Sequence, residues 1–272
     1  MEFGVDVTAT RSIRLGAVNY LNARPLVYGL DRRTDLFELR FDAPSTCAEL
    51  LHENAIDVGL IPSIEYCRGP EYAIVPDLGI ISDGPVASVA LFTTRPLPQI
   101  RTVAADTSSR TSVALLRILC AERFGVKPGF RPMAPDPERM LRECDAALLI
   151  GDPALYLDPA AASVEKIDLG GEWKTLTGLP FVWAFWAGRP GILSSHAIKA
   201  LTAARDQGVA ASDEIAATYC GPEEAARGQA YLKENIGYRL NEREEAGLHA
   251  YYDLAARHGL IELVRRPQFY EC

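Results

Sequence analysis

"SIRLGAVNYLNARPLVYGLDR", residues 12–32, begins with an apolar run ending at Val18 and closes on another that starts at Pro25. Between them stand Asn19, Tyr20, Asn22 and Arg24. A short apolar run bounded by turn residues reads as a buried strand. Pro25 suits the first turn of a helix, where its missing N–H is not needed. The unit is strand, polar loop, helix. It recurs in "AIDVGLIPSIEYCR" (55–68), "RTVAADTSSRTSVALLRILCAERFG" (101–125) and "DAALLIGDPALYL" (145–157). Apolar strands alternating with helices indicate a parallel sheet covered on both faces, an α/β fold. Ligands of such sheets sit beyond the carboxyl ends of the strands, where all four polar loops fall.

Working outward, the third unit has the clearest helix. Thr107, Ser108 and Ser109 offer N-cap hydroxyls, Val113, Leu116, Leu119 and Cys120 recur at helical spacing, and Gly125 is the expected stop. "NEREEAGLHAYYDLAARHG" (241–259) starts with the capping-box pair Asn241 and Glu244 and ends at Gly259. Residues 195–235 read as helices broken at Gly208 and Gly221-Pro222. Two extended runs, "SVALFTTRPLP" (88–98) and "GLPFVWAFWAGRPG" (178–191), read as connections. The expected organisation is one lobe built from both chain ends, 1–94 plus 186–272, with a second lobe, 95–185, inserted. A cleft between the lobes is the natural ligand site. No internal repeat is visible.

Composition narrows the function. The 272 residues carry a net charge of -8, which argues against a nonspecific nucleic-acid binder. "MEFGVDVTATRSIR" lacks the basic and apolar regions of a secretory signal, and no window approaches the ~18 apolar residues of a membrane span. Six scattered cysteines without a C-x-x-C pair read as free thiols of a cytoplasmic protein. None of the four histidines stands in a strand-end loop. No metal-ligand cluster, phosphate loop or dinucleotide fingerprint appears, so neither metal nor cofactor is expected.

What remains is hydrogen-bond donors. Ser63, Ser88, Thr107, Ser108, Ser109, Thr111 and Ser112 gather at strand ends and helix starts. Taken singly, each is a routine cap, and Asn22 can likewise be an N-cap. Facing one cleft together, such donors and the helix N-termini behind them suit a carboxylate or phosphate.

"GAVNYLNARPL", "DVGLIPSIEY", "DGPVASVALF", "SSRTSVALL", "ALLIGDPAL" and "DLGGEWKTLTGLPFVWAFWAGR", in that order over residues 13–190, resemble the chorismate dehydratase family. The resemblance implies the two-lobe type 2 periplasmic-binding-protein fold and no cofactor. It implies a lyase that converts chorismate to 3-[(1-carboxyvinyl)oxy]benzoate and water, on the futalosine route to menaquinone. Asn22 falls on the family's catalytic asparagine and Ser88 on its other site residue. Tyr20, Ser63, Thr107, Ser108, Ser109, Arg110, Thr111, Ser112 and Asp152 are the expected substrate contacts, with solvent as the alternative for Arg110. A neutral amide is a very poor base. Asn22 is therefore expected to position substrate, whose own enolpyruvyl carboxylate, or a water it activates, takes the proton. Glu65 and Asp152 are the acidic exceptions near these loops. Each has a structural alternative, Glu65 as support behind the site and Asp152 as a helix cap. Arg24 is expected at the surface. Two alternatives stand. One is 1,4-dihydroxy-6-naphthoate synthase, whose opening motif differs from "NYLNARPL". The other is a non-catalytic solute-binding or sensor protein of the same fold. The oligomeric state is not legible.

Overall fold

The structure, a computed structural model, describes residues 11–271. The opening unit forms β1 (Ile13–Val18), which pairs in parallel with β2 (Phe37–Asp42) and β3 (Val58–Pro62). β4 (Ala73–Ser82) stands at the far edge. A second sheet contains β5 (Val89–Thr93), β6 (Thr102–Asp106), β7 (Gly129–Met133), β8 (Ala146–Ile150) and β9 (Glu165–Asp168). β10 (Phe181–Gly188) then returns to the first sheet, between β3 and β4. The orders are β2-β1-β3-β10-β4 and β7-β6-β8-β5-β9. Both follow one plan, with one visiting strand, β10 or β5, antiparallel to its neighbours. The shared plan leaves no repeat in the sequence, because a core accepts many apolar sets of the right volume.

The helices are α1 (Pro44–His52), α2 (Glu65–Arg68), α3 (Thr111–Leu119), α4 (Pro137–Glu143), α5 (Gly151–Tyr156), α6 (Leu169–Thr177), α7 (Ser195–Ala210), α8 (Ser212–Ala230) and α9 (Glu242–Arg257). The α9 capping box forms as read, and Gly125 and Gly259 take left-handed conformations past their helices. At α3, Ser109 Oγ accepts the Ser112 amide at 3.3 Å, so Ser109 is the capping hydroxyl of the three. None of the helices among the described residues is long and apolar enough to cross a membrane. Cys47, Cys67, Cys120 and Cys144 are buried free thiols and Cys220 is partly buried, while Cys272 lies outside the described residues.

Several readings are corrected. "SVALFT" and "FVWAFWAG" are not connections. Their apolar runs have no polar alternation because β5 and β10 bury both faces. The boundaries expected at 94/95 and 185/186 therefore do not match the sheets. Val89–Thr93 pairs within the second sheet, and β10 spans the later boundary inside the first. The chain passes between sheets at 83–88 and again through α6 to Pro180. The segment after β1 is a 3-10 helix, Leu21–Val27, with Pro25 inside it. Gly221 does break α8, at φ 74°, but Gly208 lies within α7. A Cβ on Gly208 would stand 2.2 Å from the Pro25 carbonyl oxygen. This glycine is a contact point that lets α7 seat against the Leu21–Val27 segment.

Candidate active site

The carboxyl ends of β1, β3, β6 and β8 face a cleft between the two sheets. Val18, Ile80, Val86, Val89, Ile150 and Trp183 give it apolar walls. The Trp183 indole N–H donates to Ser82 Oγ at 3.1 Å, which turns the polar edge of the ring into the protein. Polar groups come from Tyr20, Asn22, Ser109, Thr111 and Ser112. Gly151 lets the Tyr20 ring lie against the start of α5, since a Cβ there would stand 2.8 Å from three ring atoms. The free space is about 60 Å³, room for a few waters. Larger depressions lie elsewhere, but they are open surface grooves. In one of about 490 Å³, Arg205 is already paired with Asp77 and Asp206.

Contacts between the sheets hold the cleft nearly shut. The Ile64 amide donates to Thr111 Oγ1 at 3.2 Å, and the Ser45 amide donates to the Ser108 carbonyl at 3.1 Å. Arg110 reaches across to Glu65 at 2.7 Å and Glu49 at 2.6 Å. On the opposite rim, Asp152 of α5 accepts the Leu21 amide at 3.2 Å and the Tyr219 hydroxyl at 2.5 Å.

Of the expected site residues, five line the cleft: Tyr20, Asn22, Ser109, Thr111 and Ser112. The other six do not. Ser63 is fully buried and donates to the Val182 carbonyl at 2.7 Å. Ser88 is fully buried, and its Oγ accepts from Tyr231 at 2.6 Å. Thr107 is exposed, with its amide bound to Met133 in the neighbouring strand. Ser108 donates to Asp106 at 2.7 Å and stands 3.4 Å from the Tyr20 hydroxyl. Arg110 is committed to its two carboxylates rather than to solvent or ligand. Asp152 is a clasp between elements rather than a helix cap. Arg24 packs between the Phe41 and Tyr219 rings, 4.9 Å from each centroid, beside the rim.

The electrostatics follow from this arrangement. Among the described residues, Tyr20 is the one ionisable side chain lining the cleft, and burial raises its pKa. Asp106 and Asp152 lie one residue behind the lining, and burial raises both carboxyls. Asp106 Oδ2 is buried without a partner. Burial pushes Glu65 up too, but the bond from His52, the charge and bond of Arg110, and the charge of Arg68 outweigh it and hold the carboxyl at about 2. Among the described residues, no three His, Cys, Asp or Glu side chains are grouped to hold a metal. The cleft can thus offer neutral donors and helix N-termini to an anion and an apolar slot to a ring. A hydrogen bond to a charged group contributes about 1.5–3 kcal/mol.

Sequence reasoning missed the tyrosines of the C-terminal segment. Tyr251 donates to the Thr111 carbonyl at 3.0 Å, Tyr252 to the Ser63 carbonyl at 2.7 Å, and Tyr238 to the Asn22 carbonyl at 3.0 Å. They fix the cleft from behind. The only local signal was aromatic residues, "YY" on the polar helix α9 and "GY" in the non-helical stretch before it.

The pattern of a family described as menaquinone biosynthesis matches residues 13–257. A chorismate dehydratase from Thermus thermophilus is 32% identical, over 94% of this chain and 97% of its own. Among solved structures, an Archaeoglobus fulgidus protein superposes with TM-score 0.73 at 19% identity, covering 92% of this chain and 98% of that one. The alkanesulfonate-binding protein of Xanthomonas axonopodis, bound to MOPS, gives TM-score 0.68 at 18% identity, over 94% and 95% of the two chains. The fold is that of the periplasmic binding proteins.

Proposed function

The chain belongs to the menaquinone-biosynthesis family, and from that premise we propose that it is a chorismate dehydratase working in the cleft between the sheets. We place the reaction on the futalosine route and in the cytoplasm, where buried free thiols such as Cys47 persist. The cleft fits the substrate's chemistry. Trp183 and the valine walls take the ring, while the α3 start with Ser109, Thr111 and Ser112 takes a carboxylate. The space available is too small for a ring dicarboxylate, so the sheets part to admit it and close over it.

The reaction removes the proton from ring C3 and the hydroxyl from C4. The C3–H electron pair becomes the third double bond of the ring, and the hydroxyl leaves as water. Charge building at C3 spreads through the ring diene to the ring carboxylate, where preorganised donors stabilise it. The observation that carries this reading is the lining itself. Among the described residues, it offers donors for carboxylates and no Asp, Glu, His or Lys to take the proton. The enolpyruvyl carboxylate of the substrate, directly or through a water, is the acceptor, and Asn22 positions it. Ser88 is reached as the cleft opens and hydrogen-bonds substrate.

Chorismate is mixed with the protein and the aromatic product followed by NMR. Conversion by the wild type, lost in Asn22→Ala with the fold retained, supports the reading. Protection of the protein against heat by chorismate without product would make it a binding protein instead.

A further inference from the structure

Tyr231 stands on the turn Tyr231–Asn235 that follows α8, 143 residues from Ser88. It is 2% exposed. Its hydroxyl donates to Ser88 Oγ at 2.6 Å, and the Asn22 side chain lies beside the same hydroxyl. The turn also holds the crossing segment at a second point, where Asn235 Nδ2 donates to the Pro85 carbonyl at 2.9 Å. Ser88 sits in that segment between Val86 and Val89, both of which line the cleft. Its own amide is committed to the Val86 carbonyl at 2.7 Å. One buried tyrosine thus bonds Ser88, on the passage into β5, and stands beside Asn22, in the segment after β1.

A hydroxyl has one proton to give and two lone pairs to accept with. With Tyr231 donating to it, Ser88 Oγ keeps its own proton free. No acceptor among the described residues takes that proton. The phenol oxygen, in turn, can accept from the Asn22 amide. With the Asn22 amide donating to it, a chain of donation would run from Asn22 through Tyr231 to Ser88, and buried chains of this kind polarise each successive donor.

We propose that Tyr231 is a positioning residue for the dehydration: it fixes the Asn22 amide and aims the remaining Ser88 proton at the substrate. This rests on the proposed chorismate reaction. Tyr231→Phe removes the hydroxyl and keeps the ring packing. Its kcat is expected to fall about tenfold to a hundredfold with KM nearly unchanged, the signature of an interaction felt in the transition state. Ser88→Ala is expected to fall by a similar factor, and the double variant no further, since the two act as one unit. The melting temperature of each is read alongside.

Wild-type kcat in Tyr231→Phe, or losses that multiply in the double variant, would overturn the inference. If Tyr231→Phe does not fold, Ser88→Ala decides: loss of kcat at constant KM supports the chain, and a raised KM at constant kcat refutes it. A wild type that fails to convert chorismate removes the proposed function itself. A converting wild type matched by Tyr231→Phe removes only the role of Tyr231.

Discussion

Glu65→Gln separates a carboxylate that holds the fold from one that does chemistry. Glu65 is 1% exposed and receives His52 at 3.1 Å, Arg68 at 3.1 Å and Arg110 at 2.7 Å. Arg110 arrives from the second sheet, so the cluster spans the cleft. Burial pushes the carboxyl up, while the His52 bond and the two arginines pull it down from 4.5 to about 2. At 1.36 kcal/mol per unit, the ionised form contributes roughly 3 kcal/mol to stability. Because the folded value lies below the unfolded one, the contribution is complete above about pH 4.5 and drains away as pH falls toward 2. Glutamine keeps the shape and loses the charge. Urea unfolding at pH 7 should show the variant less stable by about 3 kcal/mol, and by pH 3 the gap should be less than half of that. Turnover by the folded variant at neutral pH should stay close to wild type, since Glu65 does not line the cleft. A gap that does not narrow in acid would refute the electrostatic account. A folded variant without activity would make Glu65 the missing base.

Two further predictions concern the frame around Asn22 and Ser88. Gly208→Ala should cost about 1–3 kcal/mol in denaturant unfolding, although alanine favours a free helix, because its Cβ meets the Pro25 backbone rather than a movable side chain. Its kcat should fall as well, since the displaced segment carries Asn22. Asp168→Ala removes the acceptor of the Val86 and Ala87 amides, at 3.0 and 2.7 Å, and of the Gly171 amide that it caps. With Ala87 held at φ 62°, the passage next to Ser88 should loosen. Hydrogen exchange at 85–89 should rise, and stability should fall by roughly 3 kcal/mol.

The strand-to-helix units were legible because continuous apolar runs followed by polar loops have few other uses. The helix ends at Asn241, Gly221 and Gly259 were legible because caps are local chemistry. β5 and β10 were misread because the turn residues beside them, Pro96 and Gly178 through Pro180, suggested linkers. A visiting strand has the same apolar run as a core strand, and only its partner across the sheet tells them apart. Gly208 misled for the same reason, as its function is contact with Pro25, far off in sequence. Within the site, serines at strand ends and helix starts could be placed near the cleft but not sorted. Ser109 faces it, whereas Ser63 and Ser88 spend a bond on Val182 or Tyr231. Arg110 was read as a substrate contact, or as turned to solvent, because its two carboxylate partners, Glu49 and Glu65, are remote in the chain.

The central claim is that the cleft brings no proton acceptor of its own to the dehydration of chorismate, and the pH dependence of kcat/KM tests it most directly. Both substrate carboxylates are ionised above about pH 5, and burial keeps Tyr20 protonated beyond its ordinary range. The account predicts kcat/KM that is level from about pH 5.5 to 9. A limb with a midpoint near neutrality, abolished in Asp152→Asn or Asp106→Asn, would assign the proton to a buried carboxylate and contradict it.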